Sequence, residues 1–263
     1  MFDLTGRTAV ITGGTGALGL AAAKALYGQG AHVVLLGRSS DKLQAAVAQL
    51  EHPKIGRASF EVCDVTDEIS VSQVTKKILT KHVKADILIT CAAASAATGK
   101  FEATSLSDWR SLLATDLDGV FLACRTFGST MIQQGHGRII NLTSFHNVAT
   151  YPYRTLYNTA KSGVEGLSRA LAVEWGHYGI TVNMVAPGPI MTPRTQWFLS
   201  QDERNPAGML SRTPNVRIGD LQDVSSTIAF LASDEARHIN GQQIVVDGGW
   251  TKNAWWGNHT ELE

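Results

Sequence analysis

Residues Thr12–Gly19 read TGGTGALG, preceded by the apolar run TAVI (8–11) and followed by the alanine-rich stretch LAAAKALYGQG (20–30). A strand-length apolar run, a glycine cluster and a run of helix formers, in that order, predict a tight strand-to-helix turn. Such a turn needs glycine where φ is positive and where the backbone comes close to a pyrophosphate. The helix behind it offers its first amides and a partial positive charge. Gly13, Thr15, Gly16, Leu18 and Gly19 are therefore candidate contacts for a nucleotide phosphate, with Gly16 supplying the close approach.

Outward from this loop the alternation continues. Candidate strands are TAVIT (8–12), HVVLL (32–36), ASFEVCD (58–64), DILIT (86–90), RIINLT (138–143), TVNMVA (181–186) and QQIVVD (242–247). Helix-like segments lie between most of them, at 17–28, 41–51, 67–82, 107–134, 157–175 and 220–233. Strand, helix, strand in repetition predicts an α/β fold: a doubly wound (Rossmann) parallel sheet of about seven strands with helices on both faces. The Val/Ile/Leu-rich strands suit a sheet covered on both sides. With no repeat, linker or break in composition, residues 1–263 are expected to form one domain. One stretch interrupts the pattern: 187–220, rich in Pro, Gly and charge, is expected to be an insertion covering the substrate.

Lys plus Arg and Asp plus Glu both number 23, for a net charge of +0, so no overall field steers the chain toward nucleic acid or an anionic membrane. Small-molecule chemistry is expected instead. No run of about 18 apolar residues occurs and the start, MFDLTGR, has no leader character, so a cytoplasmic protein is expected. Cys63, Cys91 and Cys124 form no CxxC pair and fit a reducing compartment. The eight histidines show no metal-ligand spacing, and no metal is expected.

An NAD site commonly ends its second strand with an acid for the ribose 2′-hydroxyl, whereas an NADP site needs a cation for the 2′-phosphate. Here HVVLLGRSS has Gly37 in the acid's place, followed by Arg38 and Ser39, a guanidinium and a hydroxyl suited to phosphate. NADP(H) is the expected cofactor, with NAD(H) as the alternative. Asp64, at the end of the third strand, is placed for the adenine amine; Val65 and Ala92 are further candidate contacts. Asp67 is expected to cap a helix.

Tyr157 and Lys161 in YNTAK are four apart and share a helix face. An ammonium beside a phenol favours the phenolate, making the tyrosine a usable proton donor and acceptor. Ser144 in NLTSF ends the fifth strand, where ligands meet an open parallel sheet. With these residues the chain resembles the short-chain dehydrogenase/reductase family: TGGTGALG, CDV, NLTS, YNTAK, NMVAPGPIMT and GQQIVVDGG occur in the family's order across nearly the whole length. The resemblance implies that Tyr157 is the general acid/base and that Lys161 assists it and binds the nicotinamide ribose. It also implies that Ser144 hydrogen-bonds the substrate oxygen and that Pro187, Gly188, Ile190 and Thr192 line the nicotinamide end. The reaction it implies is hydride transfer between the nicotinamide and a ketone or secondary alcohol, in a homotetramer.

Three positions depart from the family pattern. The usual TGxxxGxG is here TGxxGxxG, because Ala17 takes the second glycine's place and Gly16 precedes it. Thr90, Cys91, Ala92 and Ala93 stand where Asn-Asn-Ala-Gly is usual. Asp116 takes the place of the tetrad asparagine; its carboxylate accepts hydrogen bonds but donates none, and favours a protonated Lys161 if the two lie close.

Around the substrate, 187–220 carries Arg194, Gln196, Trp197, Phe198 and Arg204, and between Ser144 and Tyr157 lie His146, Asn147, Tyr151, Tyr153 and Arg154. His146, Tyr151, Tyr153, Arg194 and Trp197 are the substrate candidates, His146 first among them, and these donors suit a hydroxylated or acidic ketone. Trp250, Trp255 and Trp256 form an apolar group that marks an interface or packs on its own subunit. Two other readings remain open: an NAD-linked dehydrogenase of a polyol or sugar acid, and a nucleotide-sensing scaffold without catalysis. The intact Ser144, Tyr157 and Lys161 speak against the scaffold.

Overall fold

The run before the glycine loop forms β1 (Thr8–Thr12), buried along its whole length. The computed structural model describes residues 1–50, 57–94, 99–201 and 204–254. After the turn, α1 (Ala17–Gly28) starts on Gly16 with no side-chain cap and no acidic residue in its first turn. Then come β2 (His32–Gly37), α2 (Ser40–Ala48), β3 (Arg57–Val62), α3 (Glu68–His82) and β4 (Ile87–Thr90). These helices begin on capping side chains: Ser39 accepts from the Lys42 amide and Asp67, as expected, from the Ile69 amide. Next are α4 (Leu106–Leu113), α5 (Gly119–Gln134), β5 (Gly137–Leu142), α6 (Thr155–Trp175) and β6 (Ile180–Pro187). The chain continues through α7 (Pro193–Ser200), α8 (Arg204–Ser211), α9 (Leu221–Ala232) and β7 (Gln243–Val246).

The seven strands form one parallel sheet in the order β3-β2-β1-β4-β5-β6-β7. Val10 of β1 pairs with Val34 on one side and Leu88 on the other. Alternate side chains feed two cores. Ala9, Ile11, Val33 and Leu35 pack with α1, α2 and α9, whereas Val10, Val34 and Leu36 pack with α3, α5 and α6. Burial on both faces is why these strands are apolar throughout rather than alternating. The strand order reverses between β1 and β4, the switch point beyond whose carboxyl ends open parallel sheets bind ligands.

Several boundaries shift by a few residues, and three regions differ from the sequence reading in substance. The helix expected over 107–134 is interrupted: Ala114–Asp118 form a π-helical turn between α4 and α5, in which Asp116 is fully buried. Its extra residue per turn has no signature in apolar spacing. The third strand stops at Val62, because Asp64 turns to accept hydrogen bonds from the amide and hydroxyl of Thr66. Within 187–220 lie two helices: Pro193 occupies the first turn of α7 and Thr192 caps it, so a residue that breaks helices elsewhere begins one here.

A buried polar chain fixes the depth of α6. Thr90 Oγ1 donates to Asn141 Oδ1 at 2.8 Å, Asn141 Nδ2 to Ser168 Oγ at 2.8 Å, and Ser168 Oγ to the Val164 carbonyl at 2.7 Å. It joins β4, β5 and α6, and α6 carries Tyr157 and Lys161.

Candidate active site

Ser144 follows β5 in extended conformation, and its Oγ accepts the His146 amide at 3.3 Å. Tyr157 and Lys161 lie one turn apart near the start of α6, with Lys161 Nζ 5.6 Å from the Tyr157 ring centre. Lys161 is buried and donates to the Leu142 carbonyl at 3.2 Å. Asp116 Oδ2 lies 3.6 Å from the same Nζ, and Asp116 Oδ1 accepts the Ala94 amide at 2.6 Å. The π turn thus ties the loop after β4 to the lysine. Asp116 Oδ2 has no hydrogen-bond partner, so the ammonium is its main compensation for burial.

Ser144, Tyr157 and Lys161 line a cleft of about 690 Å³, within the range of small-molecule sites. Leu18 borders it on the α1 side, Pro187 ends β6 and Gly188 to Ile190 follow it, and Tyr151, Tyr153, Trp197 and Phe198 form the outer rim. His146, 6 % exposed, stands edge-on to Tyr157 at 5.7 Å between ring centres and against Tyr151 at 4.5 Å. Burial, with the Arg154 charge adding to it, pushes the His146 pKa down to about 4, so the imidazole is neutral at physiological pH. Cys91 also lines the cleft, yet burial pushes its thiol up to about 12 despite the nearby Lys161. It is an apolar wall group and not a nucleophile.

A family model described as "Enoyl-(Acyl carrier protein) reductase" matches residues 14–251. The galactitol 2-dehydrogenase of Rhizobium johnstonii is 35% identical, covering 95% of this chain and 97% of the relative. The gluconate 5-dehydrogenase of Gluconobacter oxydans is 33% identical over 95% and 97% of the two chains. Among solved structures, a gluconate 5-dehydrogenase from Burkholderia cenocepacia in complex with NADP and tartrate superposes with a TM-score of 0.91. It is 30% identical and covers 96% of this chain and 98% of its own. The chain belongs to the short-chain dehydrogenase/reductase family. Like other short-chain dehydrogenases/reductases it is an oxidoreductase that interconverts a secondary alcohol and a ketone.

Most of the expected residues of this short-chain dehydrogenase/reductase meet in the cleft: Leu18, Ser144, His146, Tyr151, Tyr153, Tyr157, Lys161, Pro187, Gly188, Ile190, Thr192, Arg194 and Trp197. Asp116 stands behind Lys161. Gly13, Thr15, Gly16, Gly19, Arg38, Ser39, Asp64, Val65 and Ala92 lie outside its wall, at or after the carboxyl ends of β1 to β4. Among these, the Ser39 hydroxyl caps α2 and the Ala92 amide donates to Thr12 Oγ1. Hydrogen bonds from Thr66, with Arg38 nearby, hold the Asp64 carboxyl below the usual carboxylate range. Asn147 and Gln196 do not line the cleft; Asn147 bonds Gln243 instead. Trp255, Trp256 and the Arg204 side chain fall outside the described residues. The sequence reading missed the Ala94 amide and the Leu142 carbonyl, which as backbone groups carry no residue-type signal.

The glycine loop fits a dinucleotide phosphate. Gly13 has φ +64°, and a Cβ there would stand 2.7 Å from the Ala92 backbone; at Gly19 it would stand 2.3 Å from the Gly13 carbonyl oxygen. Only glycines let loop and helix close this tightly. The start of α1 has no capping side chain, which leaves its end of the dipole to an anion.

Proposed function

We propose that the enzyme works with NADP(H) and uses Tyr157 as its general acid and base. The observation that carries this reading is the single cleft shared by Leu18, Ser144, Tyr157, Lys161 and the segment from Pro187 to Thr192. The glycine loop, Arg38, Ser39, Asp64, Val65, Ala92, Lys161 and the Pro187–Thr192 segment would hold the dinucleotide, which when bound supplies or accepts the hydride. In reduction Tyr157 gives its hydroxyl proton to the substrate oxygen while Ser144 donates a hydrogen bond to it; in oxidation Tyr157 takes the alcohol proton back. Lys161, held by the Leu142 carbonyl and Asp116, stabilises the phenolate. The aromatic rim and the 187–220 insertion shield the reaction from water.

The NADP(H) preference is supported by Gly37 at the end of β2, by Arg38 and Ser39 after it, and by the NADP in the Burkholderia structure. A second reading, an NAD-linked dehydrogenase of a polyol or sugar acid, is favoured by the Asp64 carboxylate beside Arg38 and by the names of the galactitol and gluconate relatives. The tryptophan energy-transfer titration with NADPH and NADH separates them. A ratio of about tenfold or more in favour of NADPH, about 1.4 kcal/mol, is expected. Tighter NADH binding refutes the role of Arg38, and binding of neither withdraws the reading. A cytoplasmic homotetramer completes the proposal; exposed Phe121 on α5 and Val173 on α6 support it.

A further inference from the structure

Among the described residues lining the cleft are the cations Lys161, Arg154 and Arg194, and none of the described lining residues is Asp or Glu. Asp116 balances Lys161 from behind at 3.6 Å. Arg154 differs: among the described residues it forms no ion pair, and it lies half-buried with its guanidinium 5.6 Å from the Tyr151 ring centre.

Arg154 is also joined to the reacting end. The rings of Tyr157 and His146 are 5.7 Å apart, those of His146 and Tyr151 4.5 Å, and Arg154 follows on Tyr151. His146 is neutral and its buried Nδ1 has no hydrogen-bond partner, so it adds no competing charge to this wall. Tyr153, just before Arg154, has φ +70°, a left-handed conformation rare for a residue with a side chain and typical of backbone held in place at a ligand site. A half-buried guanidinium set on an aromatic ring, with no counter-ion among the described residues, attracts an anion, and its planar fork matches the two oxygens of a carboxylate. A neutral polyol would leave that charge unused.

We propose that the substrate is a hydroxycarboxylate and its product the corresponding keto acid, with Arg154 holding the carboxylate while Ser144 and Tyr157 hold the reacting oxygen. This rests on the reading of the cleft as a dehydrogenase site. In oxidation the carbinol carbon loses its hydrogen as hydride to the nicotinamide, the hydroxyl proton passes to Tyr157 and a C=O bond forms. The carboxylate is unchanged and serves only as a handle.

The test uses the whole protein with NADP⁺, and D-gluconate, tartrate and 3-hydroxybutyrate, each against its uncharged carboxamide, in calorimetric titration and in turnover. At least one acid is expected to bind about tenfold or more tightly than its amide. Arg154→Gln should collapse that ratio, raising KM for the acid more than it lowers kcat, and Arg154→Lys should restore part of it by returning the charge without the fork. Amides that bind as well as the acids, a ratio unmoved by Arg154→Gln, or no binding of any acid overturns the proposal. Turnover confined to neutral alcohols overturns it while the dehydrogenase reading stands. An acid that binds through Arg154 but is turned over with neither nicotinamide supports the anion site and refutes the dehydrogenase reading.

Discussion

Asp116 and Lys161 are both buried and 3.6 Å apart, so the ammonium acts on Tyr157 with an opposing carboxylate behind it. Asp116→Asn keeps an oxygen for the Ala94 amide and removes the negative charge. With the proposed roles, the field that Lys161 exerts at Tyr157 then changes, and the pH profile of the oxidation rate should change with it. Activity should persist, whereas Tyr157→Phe should lose at least about 10²-fold in kcat. Superimposable pH profiles for wild type and Asp116→Asn would reduce Asp116 to an anchor for the loop after β4. His146 yields a stability prediction. Its pKa in the fold is about 4, against 6.5 when exposed, so as pH falls below 6.5 the unfolded chain takes the proton first. The stabilisation is full at neutral pH and is lost as pH falls from 6.5 toward 4. Between pH 7 and pH 5 the wild type should lose roughly 2 kcal/mol more than His146→Asn, by urea unfolding at the two pH values. Equal losses would mean that His146 protonates in place without cost.

At the scale of elements, α1 and the glycine loop form a unit set by steric clearance. Gly19→Ala puts a Cβ 2.3 Å from the Gly13 carbonyl oxygen, and backbone cannot swing aside as a flexible side chain does. NADPH binding should weaken by about tenfold or more, although alanine is the better helix former by up to about 1 kcal/mol. Gly28→Ala, at the end of the same helix with no atom within 4 Å of the new Cβ, should show that propensity gain as a raised Tm. Unchanged NADPH binding in Gly19→Ala would show that the loop has slack. The elements themselves were legible: all seven expected strands are present, and β1 and α1 match their expected limits. What was not legible depends on partners distant in sequence. The π turn around Asp116 brings a carboxylate to Lys161 and to the Ala94 amide, and no spacing of apolar residues records that. The helices within 187–220 escaped because the stretch is rich in Pro, Gly and charge and shows no clear period, whereas at a first turn the missing N–H of Pro193 costs nothing.

For the whole molecule, the even charge balance leaves association to apolar surface. Val173 on α6 is 85 % exposed and Phe121 on α5 is 43 % exposed. Sedimentation at micromolar concentration is expected to give a tetramer, and a monomer would remove that proposal. The sequence by itself determined the layered architecture and the glycine loop, which rest on local demands, period and steric clearance, and the motifs around Ser144, Tyr157 and Lys161 gave the family resemblance from which their proposed roles come. Only the tertiary structure decided that Asp116 lies against Lys161, that His146 is uncharged, and that Arg154 lines the cleft with no counter-ion among the described residues. Charge compensation and burial depend on which distant groups the fold brings within a few ångströms, and chain order does not carry that distance.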